Sequence, residues 1–83
     1  MKLQLRYFAS IREDLGLAAE EVHTQAGDVA GLLAELRARG GIYAQTLAQG
    51  RPVRLAINQV MARADTPLSE GAEVGLFPPV TGG

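Results

Sequence analysis

Gly27-Asp28-Val29-Ala30-Gly31-Leu32-Leu33-Ala34-Glu35-Leu36-Arg37-Ala38-Arg39-Gly40-Gly41 (residues 27–41) carries the main helical period of this 83-residue sequence. Val29, Leu32, Leu33 and Leu36 recur at i, i+3, i+4 and i+7, a single apolar stripe. Asp28 has the type and place of an N-cap, and Gly40-Gly41 supplies the stop. Arg37 and Arg39 fall in the last turn, where cations complement the helix dipole. Such a helix needs one apolar surface to cover.

Strands on both sides supply that surface. Lys2 to Phe8 alternates, with Leu3, Leu5 and Tyr7 on one face and Lys2, Gln4, Arg6 and Phe8 on the other. Phe8 is the odd member of its polar face. Ser10-Ile11-Arg12-Glu13 has capping-box spacing and predicts a short helix with Ser10 as its cap, stopped at Gly16. Glu20 to Thr24 reads as an edge-like strand. Ile42 to Ala48 fits either a short helix or an irregular stretch. Val53 to Ile57 is a further strand, Asn58-Gln59 a polar turn, and Val60-Met61 the start of a short extended piece. Thr66-Pro67 and Glu70-Gly71 mark turns before a last strand over Glu73–Phe77, with Val74 and Leu76 on one face and Gly75 and Phe77 on the other. The expected fold is α+β: a ubiquitin-like β-grasp, a mixed sheet with one main helix packed on one face. The first two strands pair, and the last strand lies beside the first. Residues 1–77 form the domain, and 78–83 form an extended tail.

Composition narrows the chemistry. Eight Lys and Arg against nine Asp and Glu give a net charge of −1, so neither nucleic acid nor an anionic membrane is an expected partner. With no cysteine, thiolate nucleophiles and Cys-ligated zinc are excluded. His23 is the only histidine, and no metal site is expected. Glu20 and Glu21 are strand neighbours on opposite faces, so they cannot share a proton as a catalytic dyad. The N-terminus lacks the apolar block of a signal peptide, and the expected localisation is cytoplasmic.

The tail, Phe77-Pro78-Pro79-Val80-Thr81-Gly82-Gly83, is different. The prolines lack amide hydrogens and end the ladder at Phe77. They favour a stiff polyproline stalk that holds the tail away from the globule. From Pro78 to Gly83 the chain spans about 20 Å when extended. Gly82 and Gly83 have no side chains and fit a narrow channel, which makes the Gly83 carboxylate the expected reactive group. Such a carboxylate is inert until activated, for example as an acyl-adenylate.

Tyr7-Phe8-Ala9-Ser10-Ile11-Arg12-Glu13, Ala56-Ile57-Asn58-Gln59, Asp65-Thr66-Pro67-Leu68 through Glu73-Val74, and the Phe77–Gly83 tail together resemble the small subunits of molybdopterin synthase (MoaD). These form a sulfur-carrier family of ubiquitin-like β-grasp proteins, and the resemblance covers essentially the whole chain. Ala72 stands where the family often has an acidic residue, and Leu76 where it has a second aromatic.

The resemblance implies a role in molybdenum cofactor biosynthesis, as a sulfur-donating subunit and not an enzyme on its own. The Gly83 carboxylate would be adenylated by a ubiquitin-activating-like adenylyltransferase. That partner uses ATP, and this chain binds no cofactor itself. A desulfurase- or rhodanese-type sulfur donor would then supply sulfur for a thiocarboxylate. The tail would enter the large synthase subunit, in a heterotetramer, and pass its sulfur to cyclic pyranopterin monophosphate to build the molybdopterin dithiolene. Phe8, Met61 and Phe77 would form the apolar contact with both partners, with Arg12 as a polar contact. Rival readings are a thiamine-type sulfur carrier, a ubiquitin-like protein modifier and a plain β-grasp binding module.

Overall fold

Alternation in the first strand sets the layers. The computed structural model describes residues 1–48 and 50–79, and in it strand β1 (Lys2–Tyr7) buries Leu3, Leu5 and Tyr7 while Lys2, Gln4 and Arg6 stay exposed. Helix α1 (Ala9–Leu15) and strand β2 (Ala19–His23) follow, then helices α2 (Val29–Ala38) and α3 (Gly41–Thr46). Strands β3 (Arg54–Ile57), β4 (Val60–Ala62) and β5 (Glu73–Phe77) complete the described fold. The five strands lie in the order β2-β1-β5-β3-β4. β1 and β5 run parallel at the centre, with Leu5 opposite Val74 and Tyr7 opposite Leu76. The other pairings are antiparallel. This is the ubiquitin-like β-grasp, and β2 is an edge strand as its sequence suggests.

Leu3, Leu5, Tyr7, Leu55, Val74 and Leu76 of the inner sheet face pack with Val29, Leu32 and Leu36 of α2 into one buried cluster. Leu33, fourth member of the stripe, is only partly buried. The start of α2 is held twice over. Asp28 accepts a hydrogen bond from the Gly31 amide at 2.9 Å, the N-cap its sequence predicts. The Val29 and Ala30 amides donate to the carbonyls of Thr66 and Ala64 at 3.1 and 2.9 Å. These donors lack intrahelical acceptors, so the 64–66 turn supplies them. Asn58 and Gln59 turn β3 into β4 with φ of 50° and 70°, the left-handed pair a two-residue hairpin requires. The Asn58 carboxamide oxygen also accepts from the Glu73 amide at 3.0 Å, which ties the hairpin to β5.

Three sequence expectations need correction or completion. Ser10 is not a cap: α1 begins two residues earlier than that cap implies, Phe8 occupies the N-cap in extended conformation, and no side chain caps the helix. The cause is Ala9, whose φ of 51° turns the chain at once from strand to helix and carries Ser10 past the cap position. Ile11 and Arg12 donate their amides to the Phe8 carbonyl instead. Arg39 does more than complement the α2 dipole. It bonds Glu20 of β2 at 3.0 Å and lies 4.8 Å over the Tyr43 ring. Residues Gly41–Thr46 form a helix, which decides the stretch that the sequence left open.

Glu20 gathers the corner where β1, β2, α2 and α3 meet. It accepts from the Tyr7 and Tyr43 hydroxyls, each at 2.8 Å, as well as from Arg39. Burial alone would raise its pKa, but the three donors and the Arg39 charge hold it below the usual carboxylate range. Burial, then the Glu20 contact, push the Tyr7 phenol well above its ordinary value.

Two predictions follow from these contacts. Asp28→Ala lowers unfolding stability in urea by about 1 kcal/mol, whereas Ser10→Ala changes it by less than about 0.5 kcal/mol. Stability from Glu20, whose pKa is lowered on folding, is fully present above the unfolded carboxylate pKa and is lost as pH falls through the folded value. The raised Tyr7 phenol acts at the other end, its contribution being lost above about pH 10. Urea midpoints followed from neutral pH to below about pH 4 should therefore fall less steeply for Glu20→Gln than for the wild-type chain.

Candidate functional site

The parallel β1–β5 pair brings two aromatic residues to one end of the sheet. Phe8 leaves β1 with its amide bonded to the Leu76 carbonyl at 3.0 Å, and Phe77 is the next residue of β5. Their rings meet edge to face, centroids 6.2 Å apart at 77°, a favourable aromatic geometry. Phe8 is nonetheless 42% exposed, while the facing core is closed to solvent. Gly75 makes room for it: a Cβ there would stand 3.1 Å from the Phe8 ring. Ala56 lies beside Gly75 in register. Two of the smallest residues thus floor a shallow cavity of about 390 Å³, walled by Phe8, Phe77, Arg6 and Glu73. Arg6 and Glu73 pair loosely across it at 3.7 Å, both partly exposed.

Met61 shares this outer face but not the aromatic contact. It pairs with Ala56, which pairs with Gly75, so it stands two strands from β5, about 10 Å away. It is 53% exposed, and neighbouring Val60 is 69% exposed at the hairpin. Arg12 is exposed on α1 beside the Phe8 turn and forms no ion pair among the described residues. The structure thus joins Phe8 to Phe77 and extends an apolar strip toward Met61, with Arg12 at its margin. Sequence reasoning missed the Gly75–Ala56 floor. Its signal was available: both fall on the outward register of strands whose inward residues are large.

Strand β5 ends at Phe77, and the tail begins on the body. Pro78 and Pro79 are half-buried, and Pro79 lines a groove between α2 and the β3–β4 hairpin. Val80, Thr81, Gly82 and Gly83, the rest of the expected reactive tail, lie outside the described residues.

The carboxylates make no catalytic constellation with one another. Glu20 turns to the two tyrosines, while Glu21 turns the other way to Gln4 and to His23, whose imidazole is 3.8 Å from it and largely exposed. Among the described residues, no cluster of three His, Cys, Asp or Glu could hold a metal ion. No helix among them is long and apolar enough to cross a membrane.

A mixed sheet covered on one side, with an apolar strip on the other beside its last strand, defines a ubiquitin-like β-grasp domain with an open sheet face. The chain belongs to the ThiS family, whose model matches residues 5–83. It is 37% identical over 81 residues to the molybdopterin synthase sulfur carrier subunit of Escherichia coli (strain K12), covering 98% of this chain and 99% of that one. Among solved structures it resembles the solution structure of the Haloferax volcanii HVO 2177 protein, with a TM-score of 0.79 and 28% identity over 100% of this chain and 87% of that one. It also resembles a chain in the protein–protein complex of subunits 1 and 2 of the molybdopterin-converting factor from Helicobacter pylori 26695 (TM-score 0.67, 27% identity, 100% of both chains). The family resemblance read from the sequence is thereby shown.

Because Phe77 lies on the open face, Phe77→Ser should leave a cooperatively folded chain. Its cost in urea unfolding should be about 1–2 kcal/mol, below the 3–5 kcal/mol typical of truncating a buried Phe.

Proposed function

We propose that this chain is the sulfur carrier subunit of a molybdopterin synthase, and that the carboxylate of Gly83 carries the sulfur. One observation supports this most directly: the exposed Phe8 ring packs on half-buried Phe77 immediately before the Pro78–Pro79 start of the tail. A partner that grips the aromatic pair is then positioned to receive the tail. The full-length similarity to a sulfur carrier subunit supports the same reading.

The chemistry follows from what a carboxylate lacks. It is a poor acyl donor because its own oxygen is a poor leaving group. Attack of the Gly83 carboxylate on the α-phosphate of ATP, in an adenylyltransferase of the ubiquitin-activating type, expels pyrophosphate and leaves an acyl-adenylate. The terminal sulfur of a persulfide on a desulfurase or rhodanese type of donor then displaces AMP to form an acyl disulfide. A thiol reductant cleaves its S–S bond, being oxidised to a disulfide with the donor's thiol. The product is a thiocarboxylate on Gly83. With no cysteine in the chain, that sulfur comes from outside and is the carrier's only nucleophilic sulfur. The loaded tail would enter the large synthase subunit and pass its sulfur to cyclic pyranopterin monophosphate, which becomes the molybdopterin dithiolene. The carrier supplies a stable body, a surface both partners can hold and a slim acyl group. The partners, assembled with it as a heterotetramer in the case of the large subunit, supply the catalytic side chains.

Mass spectrometry of the intact chain and of its tail peptide tests this. After incubation with ATP, the activating enzyme and a sulfur donor, one oxygen should be exchanged for sulfur at Gly83, and alkylation should trap it. Alkylation also separates this change from methionine oxidation, which adds nearly the same mass. A tail that stays unmodified, while an established sulfur carrier reacts in parallel, would overturn the reading. Deleting Gly82 and Gly83 should abolish loading without lowering stability.

A further inference from the structure

On the far side of the tail root from Phe8 and Phe77 lies a second open surface. Strand β4 is the edge of the sheet, and the space between it and α2 is a groove of about 360 Å³. Leu33, Val53, Leu55, Ala62 and Pro79 contribute its apolar lining. Leu33 explains why the groove exists: it is the one member of the α2 stripe left partly exposed, because β4 spans only Val60–Ala62 and stops short of covering it.

The charge of this groove departs from that of the chain. Among the described residues its lining includes two arginines, Arg54 and Arg63, and no carboxylate, although the chain as a whole carries a net charge of −1. Arg63 is almost fully exposed, and its only ion partner among the described residues is Asp65 at 3.9 Å, itself exposed. A contact of that kind leaves the guanidinium available. Arg54 stands opposite Phe77 in the β3–β5 register. Through Arg54 and Met61 the groove is therefore continuous with the outer-face strip, and Pro79 of the tail root lines it.

Strand β4 offers a partner strand only three residues, Val60–Ala62, because the backbone beyond it is occupied. The Ala64 and Thr66 carbonyls are taken by the Ala30 and Val29 amides, and the Arg63 amide donates to the Thr66 hydroxyl at 2.8 Å. What remains is an apolar slot for side chains with cations at its rim. A protein segment that places apolar side chains beside a carboxylate complements it in both shape and charge.

Resting on the function proposed above, we propose that the α2–β4 groove is a second docking surface for the large synthase subunit. It accepts a segment of that partner bearing a carboxylate among apolar side chains, with Arg54 and Arg63 reading the charge. The partner thereby grips the tail root from both sides of the sheet edge, which aims the tail better than the aromatic pair alone. A rim charge of this kind acts on association rate and salt dependence.

The test is a binding titration of the full-length chain against the large synthase subunit at low and high salt. The Arg54→Glu/Arg63→Glu double variant should bind about tenfold more weakly at low salt, with the deficit shrinking at high salt. Lys2→Glu, far from the groove, should match the wild type. Both altered arginines are exposed, so the melting temperature should be unchanged. Arg54→Gln/Arg63→Gln should show an intermediate loss. Wild-type affinity and salt slope in the double variant would overturn the groove assignment. If Phe77→Ser weakens binding in that same series, the proposed function stands without the groove. Failure of the wild-type chain to bind the large subunit would overturn both.

Discussion

Parallel pairing of β1 with β5 is the constraint on which the rest depends. It joins the beginning of the chain to the last strand, at the middle of the sheet, where both inward faces are fully covered. Leu3, Leu5 and Tyr7 stand against Val74 and Leu76, and all five are closed to solvent. Loops must be closed over most of the chain before this contact forms, so the segment between the two strands has to pack well enough to offset that entropy. Helix α2 does so from one side with Val29, Leu32 and Leu36. The same pairing fixes the chemistry of the outer face. Because Tyr7 is opposite Leu76, Phe8 and Phe77 leave their strands at the same level, and their rings meet. The place where a partner would hold the domain and the root of the tail are thus set by one register. A slip of β5 by one residue would turn Phe77 into the core face and expose Val74 and Leu76.

The Glu20 corner shows how a domain this small holds its edge. β2 is an edge strand with only Val22 buried, so its apolar contribution is slight. Glu20 replaces part of it with three charge-assisted or hydroxyl hydrogen bonds that reach β1, the end of α2 and α3. Bonds to an ionised carboxylate are roughly twice as strong as neutral ones. Partial burial makes the loss of any donor costly. The opposite edge is treated differently. β4 is short, and the backbone beyond it is satisfied by the start of α2. One edge is sealed with charge, whereas the other is left open enough to form a groove.

Much of this was legible in the sequence because it depends on periodicity. The strand alternation at 2–8 and 73–77 and the helical stripe at 29–36 each follow from side-chain direction, and the structure keeps them. The Asp28 cap and the Asn58-Gln59 turn are also local chemistry. What escaped was decided by contacts between distant segments. Nothing in Ser10-Ile11-Arg12-Glu13 announces that Ala9 adopts a left-handed conformation, because that strain is sustained by packing on either side of it. Arg39 carries a sound dipole argument in sequence, yet it is drawn to Glu20, nineteen residues away. The role of Gly75 was hidden for another reason. A glycine in a strand reads as a weak position until the ring that lies over it is known. Alternation assigns Phe8 and Phe77 to the outer face, whereas the family resemblance groups Met61 with them. The separation of Met61 from that pair was not legible, since Ala56 and Gly75 enter only through register.

The division between body and tail has a physical logic. A reactive carboxylate on a long side chain would need a pocket to orient it, and a domain with this core has little room for one. Placing the acyl group at the end of the backbone removes that demand. Two prolines restrict the root of the tail, and two glycines make its tip slim. On the function proposed above, the partner would provide the channel, and the carrier would have only to be held in one orientation. That shifts the burden of specificity from chemistry to surface shape. Of the large apolar residues left open, Phe8 stands at the tail root beside Phe77, whereas Met61 and Val60 lie on the β3–β4 hairpin. As a docking site the aromatic pair would give a small, rigid contact with little side-chain freedom to lose, and the arginines beside the groove would add charge where area is limited. Because the tail root lies between these surfaces, binding energy gained on either one reduces the freedom of the same short segment. Precision at the carboxylate can therefore come from contacts that never touch it.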